Sequence, residues 1–240
     1  MITDTQIITR SLPEFIRFKR EISLRHFIEG KTLYFAAKRV FDIAISAIVL
    51  LVILSWLTPL LTILIKLSSR GPVFFLQKRV GRFGRSFTCV KFRTMIVNYE
   101  ADRRRASEND ARITRFGKFL RKSNIDELPQ FFNVLMGEMS VVGPRPHMHA
   151  DCHYFSTLIP QYRVRTLVKP GITGLSQVKG YHGQVISREC IFNRFRWDVY
   201  YVRNASFGKD VKIVTITAVQ RVAWLFTGLT TILRFSRPPI

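Results

Sequence analysis

The longest apolar stretch of the chain covers residues 43–65, which carry no ionisable side chain and are rich in Leu, Ile and Val. A helix over these 23 residues rises about 34 Å, which matches the hydrocarbon thickness of a bilayer. The preceding residues carry charges of both signs, and no small-residue cleavage site follows, so the stretch does not resemble a cleavable secretion signal. The pattern therefore predicts a membrane helix.

The flanks of this stretch and one internal proline predict how the helix enters the membrane. Lys38 and Arg39 precede it and several basic residues follow it, which by the positive-inside rule places both ends in the cytosol. Pro59 removes a backbone donor, which predicts a bend at residues 56–58. We therefore expect a re-entrant helix-break-helix. A straight helix that crosses the membrane once is the alternative.

Shorter patterns predict the elements that follow. Residues 73–80 and 86–92 form two strand-like runs joined by a glycine-bearing turn, which predicts a β-hairpin. Residues 98–108 have a helical composition. Prolines and glycines interrupt residues 141–146 and 169–174, which predicts two rigid loops, the first of which displays Arg145.

A helix is predicted over residues 126–136, because apolar side chains recur there at i, i+3, i+4 and i+7. Its apolar face comprises Leu128, Phe131, Phe132 and Leu135, and its polar face comprises Asp126, Gln130 and Asn133. In this arrangement Asp126 is the first residue of the helix.

The charge of the chain requires anionic partners. There are 38 Lys and Arg against 16 Asp and Glu, which gives a formal net charge of +22. The 47% of hydrophobic residues excludes a disordered basic tail. Bases are dense from Lys78 to Lys122, including Arg103, Arg104 and Arg105, and such density suits phosphate, although the bases nearest the membrane stretch can also contact lipid head groups. Three widely spaced cysteines indicate a reducing compartment.

The adjacent acids Asp126 and Glu127 stand out because they follow this basic region. Ser123 and Asp126 have the spacing of a helix capping box, so a purely structural role is one interpretation. The other is a divalent cation site, since bound Mg²⁺ typically takes one or two carboxylates together with substrate phosphates. A free carboxylate can also attack phosphorus as a nucleophile.

The group His147, His149, Cys152 and His153 does not have the spacing of a zinc site. We therefore expect these side chains to be polar groups on the surface or in loops.

Five segments resemble the bacterial sugar transferases, the monotopic phosphoglycosyl transferases that start glycan assembly on a polyprenol phosphate. They are residues 38–42 (KRVFD), 90–95 (VKFRTM), 121–133 (RKSNIDELPQFFN), 139–146 (MSVVGPRP) and 168–174 (VKPGITG). The resemblance extends over about residues 36–220.

The resemblance implies an enzyme whose Asp126 attacks the β-phosphate of a UDP-sugar, so that UMP leaves and undecaprenyl phosphate then accepts the sugar phosphate. It implies Glu127 as the ligand of Mg²⁺. The substrate-binding residues that it implies are Lys91, Arg93, Arg121, Pro144, Arg145 and Gln177. Residues 162–180 are similar to members that transfer hexose 1-phosphates such as glucose and galactose in exopolysaccharide synthesis.

With the resemblance, the elements predict an α-rich α+β fold in which a re-entrant membrane helix, a small β-hairpin and amphipathic interfacial helices surround a cytosolic catalytic domain at the bacterial inner membrane. We divide the chain into an N-terminal cytosolic arm (1–37), the re-entrant helix (38–70), the catalytic domain (71–208) and a C-terminal amphipathic segment (209–240). The apolar part of the last segment, residues 222–233, is too short to span a bilayer, and a core helix is the alternative. A homodimer is compatible with this description.

A non-enzymatic alternative is a membrane-tethered protein that binds polyanions through its basic stretch. Nucleic acid is not an expected partner, because the bases carry no stacking-aromatic motif and an acid pair lies at their centre.

Overall fold

The computed structural model describes residues 30–98, 110–181 and 187–235, with side chains in the last helix as far as residue 224. Outside this description lie most of the predicted N-terminal arm, nearly all of the helix predicted at 98–108 with its three arginines, and residues 236–240.

Helices dominate the described residues, and the sheets are small. The α-helices are α1 (Thr32–Ile48), α2 (Ser55–Ser68), α3 (Arg115–Ser123), α4 (Gln130–Leu135), α5 (His149–Leu158), α6 (Leu175–Val178), α7 (Arg188–Asn204) and α8 (Phe207–Phe235). The strands are β1 (Phe74–Val80), β2 (Ser86–Phe92), β3 (Ser140–Val142) and β4 (Gly171–Thr173). Turns of 3₁₀-helix cover Arg82–Gly84, Ile125–Glu127 and Tyr162–Leu167, and Val49–Leu54 is π-helical. This composition confirms the predicted helix-rich class with a small hairpin.

The predicted membrane helix is present as one continuous helical stretch, Thr32–Ser68, which is long enough to cross a membrane and contains an 18-residue window with a mean hydropathy of 2.7. It begins inside the predicted N-terminal arm. The chain stays helical through residues 56–58, and the irregularity lies upstream, in the π-helical segment. There Ser55 Oγ donates to the Leu51 carbonyl at 2.7 Å and Trp56 Nε1 donates to the Val52 carbonyl at 2.9 Å. Such side-chain donors satisfy carbonyls in irregular membrane helices.

One face of this helix packs against the rest of the protein along its length. Its buried residues include Asp42 and Ser46 near the start and Leu54, Leu61 and Ile65 further along. The opposite face exposes apolar side chains, among them Ile48, Leu51, Val52, Trp56, Leu60, Ile63 and Leu67. The helix is therefore apolar on its exposed face, as a lipid contact requires.

Two charged residues attach the start of the apolar run to the globular part. The Asp42 carboxylate accepts hydrogen bonds from Ser140 Oγ at 3.0 Å and from the Val141 amide at 2.9 Å. Arg39 donates to two carbonyls at the end of α4, at 2.6 and 2.7 Å. The carbonyls at the C-terminal end of a helix carry partial negative charge, so a cation there is favourable even though the Val134 carbonyl also accepts from the Gly137 amide at 3.0 Å.

The far end of the apolar run is attached in a similar way. Arg93, at the end of the hairpin, donates to the carbonyls of Ile65 at 3.3 Å, Ser69 at 2.6 Å and Arg70 at 2.9 Å. Both ends of the apolar run are therefore bonded to the same globular body.

The predicted hairpin is confirmed. Strands β1 and β2 pair antiparallel, with Phe74 opposite Phe92 and Val80 opposite Ser86. The loop predicted at 141–146 contains the end of β3, and the loop predicted at 169–174 contains all of β4. These two short strands pair in parallel, with Ser140 opposite Gly171. Proline and glycine therefore restrict these segments without keeping them out of a sheet.

The helix predicted to begin at Asp126 begins instead at Gln130, and this is a correction to the prediction. Pro129 directly precedes α4, and it has no backbone N–H to donate to the Ile125 carbonyl, so the helical hydrogen-bond ladder cannot run through it. Asn124 ends α3 in the left-handed conformation, with φ of 59°. Asp126 and Glu127 thus lie in the 3₁₀ turn between two helices.

The predicted faces of this helix are also partly wrong. Phe132 is half exposed, whereas Gln130 and Asn133 are buried. Asn133 is buried because its amide replaces backbone partners on β2: Oδ1 accepts from the Val90 amide at 3.1 Å, and Nδ2 donates to the Thr88 carbonyl at 2.7 Å. A polar residue on a buried face is tolerated when its hydrogen bonds are satisfied.

The first turns of α8 belong to the core. Asp210 is fully buried and accepts from Lys38 Nζ at 2.9 Å, Tyr34 Oη at 2.8 Å and Tyr201 Oη at 2.6 Å. These bonds join α8 to α1 and α7. The start of the predicted C-terminal segment is therefore a core helix, whereas most side chains of residues 222–233, for which the alternative was stated, lie outside the described part.

Candidate active site

The two acids of the sequence motif are buried side by side. Asp126 is 8% exposed and Glu127 is 7% exposed, and both lie in the turn between α3 and α4. Two neighbouring carboxylates in a buried site repel each other unless cations compensate at least one of them.

Two cations compensate Glu127. Lys91 Nζ, from β2, donates to Oε1 at 2.7 Å. Arg145, from the loop after β3, donates through Nη2 to Oε1 at 2.5 Å and through Nη1 to Oε2 at 3.0 Å. Burial by itself would raise the pKa of Glu127, but the charges of Arg145 and Lys91 outweigh it and hold the pKa well below its ordinary value. Glu127 is therefore ionised and fixed in place.

Asp126 has a different environment. Burial and the negative charge of Glu127 raise its pKa to about 6, while the charges of Lys91, Arg121 and Arg145 oppose the increase. Among the described residues, no donor forms a hydrogen bond with the Asp126 carboxylate. The site thus contains one carboxylate that is paired and one that is available to react.

The remaining acceptor positions show where a cation can bind. A carboxylate offers about four lone-pair positions, and Lys91 and Arg145 occupy three of those on Glu127. One position remains on Oε2. This donor set suits a hard cation that keeps several of its waters.

A buried network holds the main chain of Arg145. Arg165 Nη2 donates to the Arg145 carbonyl at 2.6 Å, and Arg165 pairs with Asp198 through Nε at 3.0 Å and Nη2 at 2.9 Å. Asp198 also accepts from Ser176 Oγ at 2.8 Å. The sequence analysis missed this network. The available signal was an acid, Asp198, seven residues after Ile191 on the apolar face of α7.

His147 lies in the loop before α5, which is one of the two expected locations, but its side chain is buried rather than exposed. Its Nδ1 lies 2.5 Å from Tyr162 Oη. Burial, together with the charge of Arg165, lowers its pKa well below the ordinary value, so the ring is neutral. His149 is exposed, as expected, and lies 3.0 Å from Ser86 Oγ.

The other predicted substrate-binding residues divide into two groups. Arg121 is exposed in the last turn of α3, and its charge acts on Asp126. Pro144 is buried, and its carbonyl accepts from the Gly171 amide at 3.0 Å, which fixes the loop that carries Arg145. Arg93 instead holds the end of α2, and Gln177 donates to the Ile172 carbonyl at 3.1 Å. The structure therefore brings Lys91, Arg121 and Arg145 to the acids but assigns Arg93 and Gln177 to other contacts.

Comparison with known proteins shows what this chain is similar to. A family model described as bacterial sugar transferase matches residues 33–223. The chain is 42% identical over 201 residues to a UDP-glucose:undecaprenyl-phosphate glucose-1-phosphate transferase of Xanthomonas campestris pv. campestris, covering 83% of this chain and 42% of the relative.

Two further relatives differ from it in name and length. Identity is 44% over 183 residues to a UDP-N-acetylgalactosamine-undecaprenyl-phosphate N-acetylgalactosaminephosphotransferase of Aeromonas hydrophila, covering 76% of this chain and 43% of the relative. The chain is also 41% identical over 190 residues to the exopolysaccharide production protein PSS of Rhizobium leguminosarum bv. phaseoli, and the match covers 77% of this chain and 94% of that relative. The chain thus spans about two fifths of the length of the Xanthomonas and Aeromonas relatives.

The raised pKa of Asp126 predicts a pH-dependent gain in stability when its carboxyl group is removed. The pKa of Asp126 is about 6 in the folded protein and 3.8 in the unfolded chain. The folded state therefore favours the protonated carboxyl group, and the stability that this group contributes is fully present below pH 3.8 and is lost as the pH rises through 6. Asp126→Asn should therefore exceed the wild type in free energy of unfolding by about 3 kcal/mol at pH 8, and differ little at pH 4. Denaturant unfolding in detergent measures the difference.

Glu189→Gln, at an exposed acid in the first turn of α7, is the matched control. We expect it to change stability by less than about 1 kcal/mol at either pH value. An effect of Asp126→Asn that does not change with pH would contradict the prediction.

Proposed function

The chain belongs to the bacterial sugar transferase family, and we propose that it transfers a sugar 1-phosphate from a UDP-sugar to undecaprenyl phosphate. Donors and acceptors of this kind stand in the names of its relatives. Two adjacent acids in different environments carry the proposal. Asp126 is buried and accepts no hydrogen bond within the described residues, whereas Glu127 is held by two cations.

In the first step the Asp126 carboxylate attacks the β-phosphorus of the UDP-sugar. A bond forms between the carboxylate oxygen and phosphorus, the bond to the bridging oxygen breaks, and UMP leaves with the electron pair. In the second step an oxygen of the lipid phosphate attacks the same phosphorus, and Asp126 is released as a carboxylate. Atoms and charges balance over the two steps, and no other reactant is needed.

The environment of Asp126 favours this role. With a pKa of about 6, it is mostly ionised at neutral pH. Since no described donor binds it, no hydrogen bond must break before it attacks. The positive charges of Lys91, Arg121 and Arg145 act on the same place and can stabilise the negative charge of the diphosphate.

Mg²⁺ is proposed as the cofactor, held by the remaining position on Glu127 Oε2, which leaves the Asp126 carboxylate free to attack. When bound, it neutralises charge on the diphosphate of the donor. Lys91 and Arg145 orient the Glu127 carboxylate, so the direction of its last lone pair is fixed before any cation arrives.

The re-entrant topology is proposed from the contacts at the two ends of the apolar run. Asp42 at one end and Ile65 and Ser69 at the other are bonded to one globular body. A straight crossing would draw part of that body, with its buried charges, into the hydrocarbon. The exposed apolar face of the helix then lies in one leaflet, with the globular part on the cytosolic face of the bacterial inner membrane.

The polyanion-binding alternative gains no support from the contacts of the basic residues. Lys91 and Arg145 pair with Glu127, Lys38 pairs with Asp210, and Arg39 and Arg93 bind helix-end carbonyls. These five cations serve particular contacts within the protein.

The donor sugar is proposed to be a hexose such as glucose or galactose, for an early membrane step of exopolysaccharide synthesis. Relatives of nearly equal identity are named for glucose and for N-acetylgalactosamine, so overall identity alone does not select the sugar. The homodimer stays a prediction.

Asp126→Asn should abolish UMP release. The experiment incubates the purified full chain in nanodiscs with undecaprenyl phosphate, Mg²⁺ and UDP-glucose, followed by a panel of other UDP-sugars, and measures UMP. Glu189→Gln is the control and should release UMP at the wild-type rate. UMP release by Asp126→Asn at the wild-type rate would overturn the proposed function.

Asp198→Asn should reduce kcat about 10- to 100-fold with little change in KM for the UDP-sugar, because Arg165 then holds the Arg145 main chain less firmly. Single-turnover and steady-state UMP release separate the two constants. Far-ultraviolet circular dichroism reports whether the variant is folded. A folded variant with an unchanged kcat would exclude a positioning role.

Cysteine accessibility tests the topology. Ala37 and Arg70 are exposed on either side of the apolar run, so Ala37→Cys and Arg70→Cys are introduced separately into a chain whose three native cysteines are replaced by serine. Both should resist a membrane-impermeant maleimide in intact spheroplasts and react after permeabilisation. The parent without cysteine controls for background. Reaction of one position in intact spheroplasts would establish the straight crossing.

A further inference from the structure

A cavity of about 180 Å³ lies apart from the acid pair, between α1, β3 and the segments before β2 and β4. Four cations line it: Lys38, Arg39, Arg82 and Lys169. None of its lining residues is one of those that contact Glu127 or act on Asp126. The cavity has room for several water molecules or for one phosphate group.

The carboxylates at this cavity do not balance its cations. Lys38 is paired with Asp210, which lies behind it. Asp42 is in the wall, but its Oδ1 already accepts from Ser140 and Val141. Two positive charges therefore remain in excess.

Lys169 is the cation in the wall that has no acceptor. Its Nζ forms no hydrogen bond or salt bridge within the described residues, although the residue is about half buried. Burial lowers its pKa, and the charges of Arg39, Arg82 and Lys38 lower it further, against the effect of Asp42. Holding an ammonium group among three other cations costs free energy unless an anion joins them.

We propose that this cavity binds a phosphate group, with Lys169 as its principal ligand and Arg39 and Arg82 beside it. A phosphate monoester carries up to two negative charges near neutral pH, which matches the excess in the cavity. Lysine and arginine are the usual protein ligands of such groups. This site is additional to the place where the donor diphosphate reacts.

The position of the cavity allows two sources for the phosphate. Asp42 directly precedes Ile43, the first residue of the apolar run, so the cavity opens near the level where the proposed membrane helix meets water. A lipid with a phosphate head group can reach this level, and so can a free phosphate. Only the lipid source rests on the proposed membrane placement, whereas the binding chemistry is common to both.

Ligand-induced stabilisation in detergent micelles distinguishes the sources. The midpoint of thermal unfolding is recorded with inorganic phosphate, with short-chain phosphatidic acid, and with phosphatidylcholine of the same chain length as the neutral control. All measurements use the full chain carrying Asp126→Asn, so that reaction does not interfere. In the chain with an unaltered cavity, at least one of the two phosphate probes should raise the midpoint of thermal unfolding.

Lys169→Met keeps the aliphatic stem and removes the charge. It should weaken the apparent affinity for the stabilising probe about tenfold. Lys212→Met, at an exposed position on α8, removes the same charge elsewhere and should retain the shift. Without any anion, Lys169→Met should unfold at the same temperature as its parent or higher, because repulsion in the cavity is relieved.

Equal shifts in the Lys169→Met and parent chains, or no shift with either phosphate probe, would overturn the proposal. A lower midpoint of Lys169→Met without anions would also overturn it, since that result indicates a structural lysine. These outcomes are independent of UMP release, so either proposal can fail while the other stands.

Discussion

The ionic bonds of Glu127 with Lys91 and Arg145 are the interaction on which the site depends. Two adjacent buried carboxylates coexist because two cations compensate one of them and leave the other bare. The two cations come from different parts of the fold, since the hairpin positions Lys91 and the loop after β3 positions Arg145. Arg165 and Asp198 then hold that loop from beneath. The short sheets and α7 thereby serve the geometry of one carboxylate pair.

The excess of positive charge has several separate uses. Arg39 and Arg93 bind carbonyls at helix ends and thereby attach the apolar helix to the globular part. Lys38 neutralises Asp210 in the core. A basic composition alone suggests one large anionic partner, yet in this protein several of the cations stabilise the fold and others face the proposed phosphates.

The sequence patterns predicted what depends on local spacing. The hairpin follows from two strand-like runs and a turn, and the acid pair stands out by charge contrast with its neighbours. Long-range contacts were not predictable, because no spacing shows that Arg93 reaches the end of α2 or that Arg165 reaches Asp198. The predicted start of the helix at Asp126 was wrong because the apolar repeat was extended across Pro129. A proline can be recognised in the sequence as a residue that interrupts helical hydrogen bonding, so this error was avoidable. The burial of Asn133 was also not predictable from its own helix, because it depends on hydrogen-bond partners on β2.

The turn that holds Asp126 lies between the membrane helix and the core. Ile125 and Leu128, on either side of the acid pair, pack with Leu61 and Ile65 of α2 in one apolar cluster, together with Leu120 of α3. On the proposed membrane placement, the height of the Asp126 carboxylate above the hydrocarbon is set by direct packing on the apolar helix. A bilayer whose thickness displaces that helix would then also displace the proposed nucleophile relative to the proposed lipid phosphate acceptor. Membrane thickness would thereby affect the geometry of the proposed reaction.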